Sequence, residues 1–178
     1  MAASNLIDGR AIAEQIHAET TLRIAALKAR GIQAGLTFVR VGDDPASKVY
    51  VGMKEKTCAR LGLHSQTHVL AGTTSEADLL QLIGQLNADP LVHGILVQAP
   101  VPSHISAARV FSTVRPEKDV DGFHPANVGK LMLGDPTGFV PCTPGGIQQL
   151  LIRSSIPTEG RNKSTVGQLP RGAGARQE

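Results

Sequence analysis

Gly94-Ile-Leu-Val-Gln-Ala-Pro-Val-Pro102 decides the fold. Its apolar run lacks polar alternation, so it reads as a strand buried on both faces, as in a parallel sheet covered by helices. Pro100 and Pro102 stop the run, because proline lacks an N–H and locks φ. Gln98 is then the first polar side chain beyond the strand's carboxyl end. In open α/β sheets, ligands bind in the crevice outside that end. The plainer alternative is a Gln98 amide satisfied by its own loop backbone.

Working outward, Leu36-Thr-Phe-Val-Arg-Val41 between Gly35 and Gly42 reads as another strand, and Thr67-His-Val-Leu70 as a third. Helical spacing of apolar residues runs over 6–30, with Asp8 as N-cap and Gly31 as stop. Gly42-Asp-Asp-Pro45 is a turn from which Asp43 or Asp44 caps a helix over 46–62. Thr74 or Ser75 caps one over 76–88, which buries Leu79, Leu80, Ile83 and Leu86. Shorter helices are expected over 104–114, 126–133 and 143–153, with Pro144 in the first turn of the last. Strands alternating with helices give an α/β fold, a mainly parallel sheet flanked by helices.

The chain has 178 residues, enough for one domain with a real core. It has no Trp and a single Tyr, so that core must be built from Leu, Ile, Val and Ala. Arg161, Lys163, Arg171 and Arg176 against Glu178 account for the whole net charge of +3. The remainder is balanced, and no basic stripe with interleaved aromatics argues for nucleic acid. No apolar run is long enough for a membrane helix, and no signal peptide is evident, so a cytoplasmic protein is expected. Cys58 and Cys142 have no zinc or disulfide spacing and read as buried free thiols; no metal site is expected.

Two further groups carry chemistry. Tyr50 and Lys54 stand four apart on one helix face, a phenol beside an ammonium. Such a pair can position a ring and manage a proton, although two solvated helix residues would look the same. Short-chain dehydrogenases also use Tyr-x-x-x-Lys, but the Gly-rich nucleotide turn they need is missing from the first 45 residues. Asp119 and Asp121 flank Val120 and precede Gly122; a carboxylate there can accept two N–H bonds from an amino-pyrimidinone edge. Asp-Gly is equally a common turn.

Together, Val41-Gly-Asp-Asp-Pro-Ala-Ser-x-x-Tyr-x-x-x-Lys54, Gly94–Pro102, Lys118-Asp-Val-Asp-Gly-Phe123 with Asn127-Val-Gly129, and Pro141-Cys-Thr-Pro144 resemble the methylenetetrahydrofolate dehydrogenase/cyclohydrolase family. The resemblance spans roughly residues 5–160. It implies oxidation of 5,10-methylenetetrahydrofolate to the methenyl form with NADP, then hydrolysis to 10-formyltetrahydrofolate, usually in a homodimer. It implies a catalytic Lys54, a Gln98 that bonds and tunes it, a Tyr50 against the pterin and an Asp121 on the pterin's amino edge. Ser47, Val97 and Pro100 would line the same substrate site.

On this reading residues 1–156 form a folate-binding catalytic domain, the N-terminal domain of a two-domain enzyme. After Asn162 the family's buried strand and Gly-Arg-Ser turn are not matched. Gly172-Ala-Gly174 is no dinucleotide fingerprint. Residues 157–178 read as a truncated or out-of-frame tail in place of the NADP-binding Rossmann domain, expected to be disordered. The dehydrogenase half is then doubtful, and a non-catalytic fragment that binds folate or pairs with another subunit is the alternative.

Overall fold

A computed structural model describes residues 6–157. The expected tail from 158 onward lies outside the described residues. The elements run α1 (Gly9–Ala29), β1 (Gly35–Val41), α2 (Pro45–Leu61), β2 (His64–Leu70), α3 (Glu76–Ala88), β3 (Gly94–Val97), α4 (Ala107–Thr113), α5 (Pro125–Leu133) and α6 (Cys142–Arg153). The α/β expectation holds, and every strand pair is parallel, in the order β2-β1-β3. Asp8 caps α1, Asp44 caps α2 and Ser75 caps α3, each accepting a backbone N–H from the first turn. Gly62 closes α2 in the left-handed conformation.

β2 begins at His64, three residues before its expected start. His64-Ser-Gln-Thr67 has no apolar pattern. Its backbone is recruited by β1, with Gly35 opposite His64 and Phe38 opposite Thr67. As an edge strand, β2 has one free side and tolerates polar residues.

The central strands divide their side chains between two faces, as the two-residue period requires. Val39, Val41, Ile95 and Val97 join Leu79, Ile83 and Leu86 of α3 and Val110 of α4 in the larger core. Leu80, expected among them, is only partly buried. Phe38 and Leu96 point the other way, onto Val51 and Cys58 of α2. Cys58 is therefore a core thiol, as expected, whereas Cys142 is exposed, contrary to expectation. Cys142 starts α6, a helix with no fully buried residue, which leaves that end partly open to solvent.

The chain next returns to the edge of β3. Ile95 donates to the Lys118 carbonyl at 2.7 Å and bridges Asp119 in parallel. A side chain at Gly94 would collide there, its Cβ falling 2.6 Å from Val120 Cγ1 and 2.9 Å from Leu36 Cδ1. This close approach lays the Asp119–Asp121 segment along the sheet and brings it to the carboxyl end of β3.

Candidate active site

Ser47, Tyr50 and Lys54 fall at positions i, i+3 and i+7 of α2, one stripe of the helix. Lys54 Nζ donates to Gln98 Oε1 at 3.2 Å, joining α2 to the loop after β3. Gln98 turns its amide N–H onto the Ala99 carbonyl at 2.7 Å. The plainer loop-backbone bond and the expected lysine partner are thus both present, one at each end of the amide. Gln98 cannot rotate away without losing a bond.

An apolar groove of about 460 Å³ runs along α2 over the smaller sheet face. Tyr50, Lys54 and Cys142 stand on its wall, and Phe38, Leu96 and Val120 contribute apolar surface. Tyr50 is 58% exposed, so its ring is available to a ligand. Ser47 is buried in the first turn of α2, and its hydroxyl has no hydrogen-bond partner among the described residues. Pro100 is exposed and follows Ala99 through a cis peptide bond. The Val97 side chain points into the larger core, which leaves its main chain as the part able to face a ligand.

Asp121 is half-buried, and desolvation pushes its carboxyl above the usual carboxylate range. The Lys54 cation pulls it down, while neighbouring Asp119 adds to the rise. Cys142 Sγ lies 3.5 Å from the Val120 carbonyl and 3.8 Å from Asp121 Oδ1. Partial desolvation of the sulfur at this otherwise exposed residue and the Asp121 charge both push the thiol up, so it stays a thiol rather than a thiolate.

The raised Asp121 has a consequence for stability. Above its folded-state pKa, the ionised carboxylate opposes folding, because the unfolded chain solvates it better. As the pH falls through that raised pKa the folded state takes up a proton first, and stability recovers. Asp121→Asn is therefore expected to raise the melting temperature at pH 7, with the gain closing as the pH falls. Equal melting curves at pH 7 would contradict the burial.

Asp119 and Asp121 are equivalent candidates in the sequence, and Lys118 has no role there. Lys118 Nζ bonds the Leu86 and Asp89 carbonyls at 3.1 and 2.7 Å, capping the end of α3. Asp119 is 4% exposed and accepts from the His124 N–H and the Asn127 amide. Both side chains are consumed structurally, which leaves Asp121 as the free carboxylate of the motif. Regular spacing could not reveal this, because the Lys118 partners lie about thirty residues upstream.

A family model described as "Tetrahydrofolate dehydrogenase/cyclohydrolase, catalytic domain" matches residues 7–121. The chain belongs to that family. Bifunctional protein FolD 2 of Geobacter metallireducens is 49% identical over 164 residues, which cover 92% of this chain and 57% of that protein. Bifunctional protein FolD of Moorella thermoacetica is 48% identical, covering 92% of this chain and 58% of the relative. The crystal structure of the Campylobacter jejuni bifunctional enzyme FolD superposes with a TM-score of 0.83 at 44% identity, over 84% of this chain and 53% of that one. The Trypanosoma brucei enzyme, complexed with NADP cofactor and inhibitor, gives 0.80 at 35% identity, over 84% and 52%. The chain thus spans a little over half the length of the curated relatives it matches.

The first strand-to-helix turn does not fit a dinucleotide. The β1–α2 turn, Gly42-Asp-Asp-Pro45, sets two carboxylates and a proline where a pyrophosphate would need N–H groups and positive field. Nor is a helix among the described residues long and apolar enough to cross a membrane.

Proposed function

We propose that residues 1–156 carry the folate half of a bifunctional methylenetetrahydrofolate dehydrogenase/methenyltetrahydrofolate cyclohydrolase. The observation that carries this reading is the Lys54–Gln98 bond beside the desolvated Asp121, at the mouth of an apolar groove. Tyr50 offers its exposed ring to the pterin, and Asp121 accepts from the pterin's amino edge. Ser47, Pro100 and the main chain of Val97 complete the substrate site beside the groove.

Hydrolysis of the cationic methenyl carbon requires a water whose proton is managed as the C–O bond forms. Lys54 is the group in reach, and Gln98 Oε1 holds its ammonium in place. For the oxidation these residues supply orientation, holding the folate so that its reacting carbon stays presented. NADP is the hydride acceptor that the family reading expects for this oxidation. The same reading makes the protein cytoplasmic and the working enzyme a homodimer.

Calorimetric titration of the chain with a stable tetrahydrofolate tests the binding half. Saturable binding is expected, weakened about three- to tenfold by Tyr50→Ala, the scale of one lost ring contact. Absence of binding to the folded chain, or an unchanged affinity in Tyr50→Ala, contradicts the assignment.

A further inference from the structure

Asn127 is 1% exposed on the first turns of α5, and it joins three segments that are separate in sequence. Its Nδ2 group donates to the Pro116 carbonyl and to Asp119 Oδ2, both at 2.9 Å. Its Oδ1 accepts from the Phe139 N–H at 3.3 Å. Both protons and the oxygen of one buried amide are therefore used. Asp119 Oδ2 also accepts from the His124 N–H at 2.8 Å, which ties the start of α5 to the same carboxylate.

The segments so joined meet again at Gly122. It has φ +69°, and a Cβ there would fall 2.8 Å from both the Phe139 carbonyl oxygen and Pro141 N. The strap from Phe139 to Pro141 thus lies directly on the turn that follows Asp121. One residue past the strap is Cys142, whose sulfur faces the Asp121 carboxylate.

We propose that Asn127 is the positioning residue of this site, a clasp whose amide holds the Asp119–Gly122 turn and the Phe139–Cys142 strap together and so fixes the Asp121 carboxylate at the mouth of the groove. Its catalytic consequence rests on the folate reading. Without the clasp, Asp119 keeps only its backbone donor and the strap loses its tie to α5. Asp121 then samples positions from which it cannot hold a substrate edge against Lys54.

Asn127→Asp is close to isosteric. It removes both amide donors and sets a second carboxylate against Asp119, while an oxygen remains to accept from the Phe139 N–H, so the strap is disturbed through the Asp119–Gly122 turn on which it lies. The double variant Asp119→Asn with Asn127→Asp restores an amide facing a carboxylate in the opposite sense. Iodoacetamide labelling of the folded 178-residue chain, read peptide by peptide, reports the strap through Cys142, with buried Cys58 as the reference for global opening. In Asn127→Asp, Cys142 is expected to react about fivefold faster, because the exposed thiol moves away from the Asp121 carboxylate that keeps it protonated. Cys58 should not change, and the double variant should return Cys142 towards the parent rate. Unchanged Cys142 labelling, or Cys58 and Cys142 accelerating together, overturns the clasp. Asn127→Ser adds no charge and gives the same readout if the Asp variant unfolds.

In methenyltetrahydrofolate hydrolysis, Asn127→Asp should lower kcat about tenfold, a cost typical of a displaced catalytic group. The same substitution should cost less than about twofold when Asp121→Asn is already present, because the two act through one another. Equal losses in both backgrounds overturn the route through Asp121. A parent chain without Lys54-dependent hydrolysis overturns the folate reading instead, and the labelling result still decides the clasp.

Discussion

Lys54→Met is expected to reduce methenyltetrahydrofolate hydrolysis by about 10²–10⁴-fold, the range for losing a positioned proton-transfer group. Methionine matches the reach of the lysine stem and retains contact with the groove wall, so the change is confined to the ammonium. Among the described residues that ammonium has one side-chain hydrogen-bond partner, Gln98 Oε1 at 3.2 Å. A charge-assisted bond of this kind contributes about 1.5–3 kcal/mol, much of it offset by the desolvation of the part-buried ammonium. The urea midpoint should therefore move little while the rate collapses. A rate within a few-fold of the parent, measured on a folded variant, removes Lys54 from the chemistry.

Phe38→Ala should have the largest effect on stability, a loss of about 3–5 kcal/mol. Domains of this size have about 5–15 kcal/mol in total, so the variant stands close to unfolding at 25 °C. Phe38 is 1% exposed on the central strand, opposite Thr67 of β2 and Leu96 of β3. It is the largest side chain between the sheet and α2, among Val51, Cys58 and Leu96. That smaller core has few other members, so the cavity has little with which to close. Because α2 carries Lys54, its loosening also slackens the site. Urea unfolding measures the loss, and a value under about 1 kcal/mol would show that the face repacks.

The sequence made the scaffold legible where one element's own pattern carries the signal. Capping by Asp8 was readable because cap and first turn are adjacent, and Asp44 and Ser75 were each one of two neighbouring candidates. The unbroken Gly94–Val97 run announced burial on both faces, and the structure buries all four residues. Gln98 could be singled out from the prolines that follow it. What was hidden depends on partners distant in the chain. The polar start of β2 becomes strand only through the β1 ladder. Asp119 and Asp121 look equivalent in Lys118-Asp-Val-Asp-Gly122. They are separated only by the Asn127 amide and the His124 N–H, which claim one and leave the other. Cys142 was expected to be buried because isolated cysteines usually are. Its helix instead lies along the outside of the fold, held by the Arg153–Glu19 ion pair at 2.7 Å.

The most direct test of the folate assignment is the disappearance of methenyltetrahydrofolate absorbance in the presence of the 178-residue chain, beside its Lys54→Met variant. The Tyr50, Lys54, Gln98 and Asp121 cluster requires no nucleotide for this step. A rate above that of buffer that is lost in Lys54→Met is the predicted result. A cooperatively folded chain that leaves the buffer rate unchanged would contradict it, and would reduce the cluster to a folate-binding or subunit-pairing surface.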